Sequence, residues 1–166
     1  EIIIIENSLD KDVKYKFEKL YSNVQVVIPQ SNLGYGKALN LGLQIAKSNF
    51  VMCMVSDIKI EKKCLIGISE ILNKFNDFSI LSPTYINENI HKNYTMGKNN
   101  QQSEKNKNIL NFSLKQVDEV DGAILIINKK KFADNNILDE NIFLYFENVD
   151  LCFRVKKNNE KIYIIE

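Results

Sequence analysis

The chain has 166 residues, which suits a single domain, and 45% of them are hydrophobic, which is enough to form a core. A formal net charge of +1, with 26% charged residues, argues against nucleic acid or another polyanion as a partner. The three cysteines show no paired Cys-x-x-Cys spacing, which predicts reduced thiols in a cytoplasmic protein. No signal peptide and no apolar run of membrane-spanning length is visible.

Strands and helices alternate through the first half of the chain. Short β-branched runs predict strands, and stretches with apolar residues on one face predict helices. Strands are predicted at 2–5, 24–28, 50–55 and 78–81, and helices at 13–20, 37–47 and 64–75. This alternation predicts βαβ units and a mostly parallel sheet with helices on its faces.

The second half opens with a stretch that breaks this pattern. Residues 85–116 are rich in Asn, Lys and Gln, which predicts an irregular insertion, either a long loop or a hairpin. The only histidine, His91, lies there, which argues against a histidine-based triad or a zinc site. Further strands are predicted at 117–120, 122–127 and 162–165, a short helix at 129–132 and a helix at about 148–157.

Basic residues cluster at two places, 129–131 and 154–161. Such clusters usually form a solvated surface, and a weak attraction to anionic lipid is the alternative.

Polar residues follow three of the predicted strands. Glu6 and Asn7 end the first strand, where they suit hydrogen bonds to a base or ribose, or simple capping. Asn32 and Gly34 belong to a glycine loop before a helix, which suits phosphate binding or a tight turn. Asp57 follows a buried strand, where a carboxylate suits a divalent cation or a helix cap.

A pair of carboxylates follows an aromatic run near the end of the chain. Glu147 and Asp150 come directly after residues 143–146 and share one face of the predicted helix. There they suit binding of a proton, a hydroxyl or a metal. The alternative is structural, because acidic residues favour the first turn of a helix and Asp150 can pair with Arg154.

Taken in order, four segments resemble the family 2 glycosyltransferases, which have the GT-A fold. The resemblance is strongest to the bacterial rhamnosyltransferase-type members that build surface polysaccharides. The segments are residues 2–10, 32–42, 50–57 and 120–154, and the last is the most specific. The resemblance implies an α/β GT-A catalytic domain over residues 1–166, N-terminally incomplete because the family's first strand and helix are missing. It also makes residues 85–116 a candidate acceptor-side loop.

The resemblance further implies a nucleoside-diphosphate-sugar donor, a divalent cation (Mg²⁺ or Mn²⁺), inversion at the anomeric carbon and a glycan or lipid-linked acceptor. The metal ligand would be Asp57, and the catalytic base would come from Glu147 or Asp150. The full donor-binding set would be Glu6, Asn7, Asn32, Gly34, Asp57, Gly122 and Ala123. The setting would be the cytoplasm, at the inner face of the membrane, with peripheral membrane contact as an option.

Two departures from the family pattern keep a second function open. Asp57 stands alone where two carboxylates are common, and Asn148 stands where an aspartate is common. An amide cannot act as a base. The alternative is therefore a catalytically impaired domain that binds a nucleotide or a partner, and a related nucleotidyltransferase is a third reading.

Overall fold

The computed structural model of the chain describes residues 1–84, 94–95, 107–109, 111–134 and 136–166. They form two compact units. The first unit is Glu1–Ser48 with Asp134–Glu147, and the second is Asn49–Ala133 with Asn148–Glu166. The prediction of one domain stays a prediction. His91 and most of the predicted insertion at 85–116 lie outside the described residues.

Two parallel strands and two helices make up most of the first unit. The elements are β1 (Ile2–Ile5), α1 (Lys11–Leu20), β2 (Val24–Val27) and α2 (Tyr35–Ile45). Asp10 caps α1, because its carboxylate accepts a hydrogen bond from the backbone N–H of Asp12 at 2.8 Å. The strands pair in parallel, with Ile4 opposite Val26.

Side chains from α1 cover the outer edge of β2. The Lys14 ammonium donates to the carbonyl of Val26 at 2.7 Å, and the Val26 N–H donates to the Glu18 carboxylate at 2.9 Å. Lys14 and Glu18 also pair with each other at 2.8 Å. Both polar backbone groups of Val26 are therefore satisfied by side chains rather than by another strand.

The second unit is built on a six-stranded sheet. Its first elements are β3 (Phe50–Met54), α3 (Lys62–Lys74) and β4 (Ile80–Pro83). Six strands follow: β5 (Tyr94–Thr95), β6 (Lys107–Ile109), β7 (Phe112–Val117), β8 (Glu119–Val120), β9 (Ile124–Asn128) and β10 (Ile162–Ile165). The order in the sheet is β3-β9-β4-β10-β7-β6, while β5 pairs with β8. The last helix, α4 (Glu147–Lys157), starts at the final residue of the first unit.

The strand directions correct the prediction of a mostly parallel sheet. Within the described residues only β4 and β10 run parallel in the six-stranded sheet, and its four other pairings are antiparallel. The reason lies in the connections. Only two residues separate β6 from β7, whereas a parallel pair would need a crossover of a dozen or more residues. β9 enters the sheet between β3 and β4 and runs antiparallel to both. The sheet is therefore mixed.

Helix α3 packs on this sheet through an aromatic core. Phe75 at the end of the helix meets Tyr163 of β10 edge-on, with ring centroids 5.3 Å apart. Phe78 stacks on Phe75 and on Phe50 of β3. The fully buried Ile71 and Leu81 complete the contact between helix and sheet. This packing makes β3 and β9 a rigid support for the loops at their ends.

Most predicted elements are confirmed within a few residues. Within 85–116, β6 and β7 pair as an antiparallel hairpin, which agrees with the hairpin alternative for this stretch. Leu114 and Val117 of β7 bury their side chains despite the polar composition around them. The strand predicted at 78–81 lies at Ile80–Pro83, and its last residue, Pro83, lies opposite Ile165 at the end of the ladder.

Candidate active site

In the first unit, three of the predicted donor residues form one hydrogen-bonded network. The Asn7 side-chain amide donates to Asn32 Oδ1 at 3.0 Å and to the carbonyl of Gly34 at 3.1 Å. Its oxygen accepts from the Leu33 N–H at 2.8 Å, and Asn32 Oδ1 accepts from the Gly34 N–H at 2.9 Å. The strand end and the glycine loop are thus held together, and both asparagines are already engaged.

Gly34 allows this loop to approach the aromatic run. It has φ +75° and ψ −178°, a conformation that residues with a side chain rarely adopt. A Cβ at this position would lie 2.3 Å from the carbonyl oxygen of Phe143. The next N–H, that of Tyr35, donates to the same oxygen at 2.9 Å. The helix N-terminus expected to face a phosphate therefore binds a protein carbonyl.

A buried asparagine that the sequence analysis did not single out anchors the same region. Asn40, 1% exposed, donates to the carbonyl of Leu138 at 2.9 Å and accepts from the Leu138 N–H at 3.0 Å. Its position among the leucines of α2 was the available signal, because a buried amide needs partners. It fixes the start of the segment that leads to the aromatic run.

Glu6 also has a local partner. Its carboxylate accepts from the backbone N–H of Ser8 at 2.8 Å and from the Ser8 hydroxyl. It remains close in sequence to Asn7, and one oxygen of its carboxylate is used in this turn.

The aromatic run is exposed and strained. Phe143, Leu144, Tyr145 and Phe146 are 60%, 50%, 72% and 72% exposed. Tyr145 and Phe146 have φ values of +67° and +69°. This left-handed conformation costs about 1–2 kcal/mol for each residue that is not glycine. Four consecutive exposed side chains of this size, two of them on strained backbone, mark a contact surface.

Glu147 follows directly and differs from its neighbours in being buried. It is 3% exposed and starts α4. Within the described part of the chain, no hydrogen bond or ion pair to its carboxylate is found. No fully buried side-chain oxygen there lacks a partner, so the Glu147 carboxylate still reaches solvent. A shielded carboxylate with free lone pairs at a solvent opening can accept a proton.

The two polar residues after it have structural partners. Asp150 Oδ2 accepts from Arg154 Nε and Nη2, both at 2.8 Å, which is the helical pair that the spacing predicts. The Asn148 amide donates to the carbonyl of Val120 at 2.9 Å and so ties α4 to β8. Of the two candidate bases, Glu147 is therefore the less occupied.

In the second unit, the structure brings three of the predicted donor-binding residues, Asp57, Gly122 and Ala123, to one end of the sheet. The N–H of Val55, just beyond β3, donates to the carbonyl of Ala123 at 3.0 Å. Gly122 and Ala123 form the turn between β8 and β9, and the Ala123 N–H donates to Asp121 Oδ1 at 3.1 Å. Asp121 is a further carboxylate at this edge that the sequence analysis passed over.

Asp57 itself is exposed, and its carboxylate has no partner among the described residues. It does not cap α3, whose N-cap is Glu61, so the capping alternative is wrong. No cluster of three metal-ligating side chains occurs in the described ranges.

The three cysteines form no disulfide in the structure. The thiols are free, and burial raises the pKa of Cys53 to about 12 and that of Cys152 to about 11.

In the basic clusters, several cations have acidic partners: Lys131 with Glu160, Lys156 with Asp118 and Lys161 with Asp77. These pairs fit the reading of a solvated surface. None of the helices described has the length and apolarity needed to cross a membrane.

A solved structure supports the architecture. The chain is similar to the crystal structure of GalNAc-T7 with UDP, GalNAc and Mn²⁺, with a TM-score of 0.70 and 12% sequence identity over 99% of this chain and 36% of that one. At this identity the similarity concerns the fold. The chain has the α/β fold of the GT-A glycosyltransferases.

A curated relative also matches nearly the whole of this chain. The chain is 23% identical to the low-salt glycan biosynthesis hexosyltransferase Agl10 of Haloferax volcanii, over 98% of this chain and 55% of the relative. The chain therefore spans about half the length of that relative and about a third of GalNAc-T7.

The family comparison covers most of the sequence. The model described as glycosyl transferase family 2 matches residues 1–135, which include the glycine loop, Asp57 and the Gly122–Ala123 turn. Glu147 and Asp150 lie beyond the matched residues. Since the match extends over far more than half of its 166 residues, the chain belongs to glycosyl transferase family 2.

Proposed function

We propose that the chain is the catalytic part of an inverting glycosyltransferase. It moves a sugar from a nucleoside-diphosphate-sugar to a glycan or lipid-linked acceptor in surface polysaccharide synthesis, as its resemblance to bacterial rhamnosyltransferases implies. The observation that carries the proposal is Glu147. The residue is buried as a whole, whereas its carboxylate has no protein partner among the described residues and still reaches solvent next to an exposed aromatic run.

The reaction requires one base. Glu147 takes the proton of an acceptor hydroxyl while that oxygen forms a bond to the anomeric carbon. The bond from this carbon to the diphosphate breaks, and the nucleoside diphosphate leaves with the electron pair. Attack from the face opposite the leaving group inverts the anomeric centre. Asp150 is the second candidate, although one oxygen of its carboxylate is already engaged by Arg154.

The donor is assigned to the polar residues at the strand ends. In the first unit, the network of Asn7, Asn32 and Gly34 presents a fixed polar surface for the base and ribose, with Glu6 beside it in sequence. In the second unit, Gly122 and Ala123 suit the sugar, because a turn with small side chains leaves room for a ligand.

A divalent cation fits Asp57. Mg²⁺ and Mn²⁺ prefer hard oxygen ligands, and Mg²⁺ is often bound by only one or two carboxylates together with substrate phosphates and water. Asp57 offers an exposed carboxylate without a protein partner in the described part of the chain. When bound, the cation offsets the negative charge that develops on the departing diphosphate.

A second function rests on Asn148. If the base belongs at that position, the chain is an impaired domain that binds a nucleotide or a partner. The hydrogen bond from Asn148 to Val120 gives the amide a structural role, and this favours the active enzyme with Glu147 as its base.

The first test compares two acidic residues in the same unit. The protein is incubated with nucleotide sugars and Mn²⁺, and nucleoside diphosphate release is followed. Glu147→Gln is expected to reduce kcat about 10²- to 10⁴-fold, because the proton acceptor is lost. Glu140→Gln, an exposed control, is expected to retain activity. Equal activity in both variants contradicts the assignment of the base, and no release or donor binding with any nucleotide sugar contradicts the function.

The second test concerns the metal. Asp57→Asn is expected to weaken donor binding in the presence of Mn²⁺ and to change little in its absence. Glu70→Gln, at an exposed position on α3, is the matched control. Isothermal titration calorimetry with a nucleoside diphosphate measures both affinities, and an unchanged Mn²⁺ dependence in Asp57→Asn contradicts the role of this residue.

A further inference from the structure

The exposed aromatic run has a fixed position in the first unit. Its start is anchored where the Tyr35 N–H donates to the Phe143 carbonyl at 2.9 Å, with Gly34 packed closely against the same residue. Its last residue, Phe146, directly precedes Glu147, the first residue of α4. Leu144, Tyr145 and Phe146 form the exposed stretch between these two anchors.

The backbone conformation keeps the rings exposed. Tyr145 and Phe146 are consecutive residues with positive φ, and each is 72% exposed. Glycine would adopt the same conformation without strain. The presence of two aromatic residues indicates that their rings have a use that outweighs the strain.

The charged residues near the aromatic run indicate which kind of molecule can bind it. Residues 136–147 contain three acidic residues, Asp139, Glu140 and Glu147, and no lysine or arginine. Segments that lie on membranes usually combine aromatic residues with lysine and arginine, because anionic lipids attract them. An acidic aromatic segment is repelled by such a surface.

A neutral sugar suits both the exposed aromatic rings and the acidic residues near them. The hydrogens on one face of a pyranose ring suit the negative face of an aromatic ring, and its hydroxyl groups donate hydrogen bonds to carboxylates. Glu147, the next residue after Phe146, has a carboxylate that is free of partners among the described residues and reaches solvent.

We propose that Tyr145 and Phe146 form a stacking platform for a neutral sugar ring of the acceptor. The acceptor surface then recognises a glycan residue rather than a lipid chain or a membrane. This inference rests on the proposed function only where it identifies the bound sugar as part of the acceptor. The platform itself is a binding site that can be tested without the transfer reaction.

The test uses methyl glycosides of common neutral sugars as probes, with saturation-transfer NMR as the readout. At least one glycoside is expected to bind through the hydrogens on one face of its ring. Tyr145→Ala and Phe146→Ala are each expected to reduce its affinity about two- to tenfold. Tyr15→Ala removes an aromatic residue that is 70% exposed on α1 of the same unit, and it is expected to leave the affinity unchanged.

Two further variants distinguish the loss of the aromatic ring from a loss of folding stability. Tyr145→Phe keeps the ring and is expected to retain binding. Tyr145→Gly removes the ring together with the strain at φ +67°, so it is expected to lose binding while its Tm stays equal or rises. A loss of binding with an intact Tm supports the platform.

Several outcomes overturn the proposal. These are no binding of any methyl glycoside, equal affinities in Tyr145→Ala, Phe146→Ala and the wild type, or sedimentation with phosphatidylglycerol vesicles that depends on these two rings. Failure of the platform is distinct from failure of the proposed function, which is measured by nucleoside diphosphate release. Ring-dependent sugar binding without release would leave a sugar-binding surface and remove the transfer reaction.

Discussion

Gly34→Ala tests the contact between the glycine loop and the aromatic run. An alanine at φ +75° and ψ −178° is strained by about 1–3 kcal/mol. Its Cβ would lie 2.3 Å from the Phe143 carbonyl oxygen, and relieving such an overlap typically costs about 1–3 kcal/mol. The free energy of unfolding is therefore expected to fall by about 2–6 kcal/mol. Urea titration followed by circular dichroism measures this as a lower midpoint.

Gly36→Ala is the matched control two residues later. A Cβ at Gly36 would have its nearest neighbours at 3.5 Å, an ordinary contact, and the residue lies within α2. This variant is expected to be neutral or to gain up to about 1 kcal/mol. The carbonyl contact predicts that Phe143→Ala does not rescue Gly34→Ala. Equal stability of the two glycine variants would refute the reasoning.

Three further predictions concern the packing and a thiol. Gly67→Ala places a Cβ 2.3 Å from the ring of Phe112, so it is expected to lose about 1–3 kcal/mol, and Phe112→Leu should recover part of this loss in a double-mutant cycle by urea titration. Asn40→Leu leaves the N–H and the carbonyl of Leu138 without partners, and thermal unfolding is expected to show a loss of about 2–5 kcal/mol. Burial raises the pKa of Cys53 from 9.0 to about 12, so the folded state keeps a proton that the unfolded state loses. Stability is therefore expected to fall as the pH rises between these values, less steeply in Cys53→Ala, as urea titrations at several pH values would show.

The elements could be predicted because their signals are local. The β-branched run at 2–5 and the apolar face of α3 identify themselves within a few residues, and both are confirmed. The predicted direction of β9 was wrong, because the direction of a strand depends on how the later strands of the chain enter the sheet. That pairing joins residues far apart in the sequence, such as Ile126 and Met52.

The site residues illustrate the same limit. Asn7, Asn32 and Gly34 could be singled out because strand ends and glycine loops have recognisable sequences, and the structure brings the three together in one network. That they bind the donor stays a prediction. Asn40 was missed because its partner, Leu138, lies 98 residues away in the chain. The choice between Glu147 and Asp150 also needed the structure, because burial and pairing distinguish two carboxylates that look equivalent in the sequence.

The coverage of the β2 edge by α1 has a consequence for self-association. An open strand edge invites pairing with another copy, and here the side chains of Lys14 and Glu18 occupy it at Val26. The hydrogen bond from Lys14 lowers the pKa of Glu18, so the carboxylate stays charged until the solution becomes more acidic than its ordinary titration range. Once Glu18 is protonated, it no longer pairs with Lys14 as an ion and binds the Val26 N–H less strongly. Acid treatment would therefore leave this strand edge open to pairing with another copy.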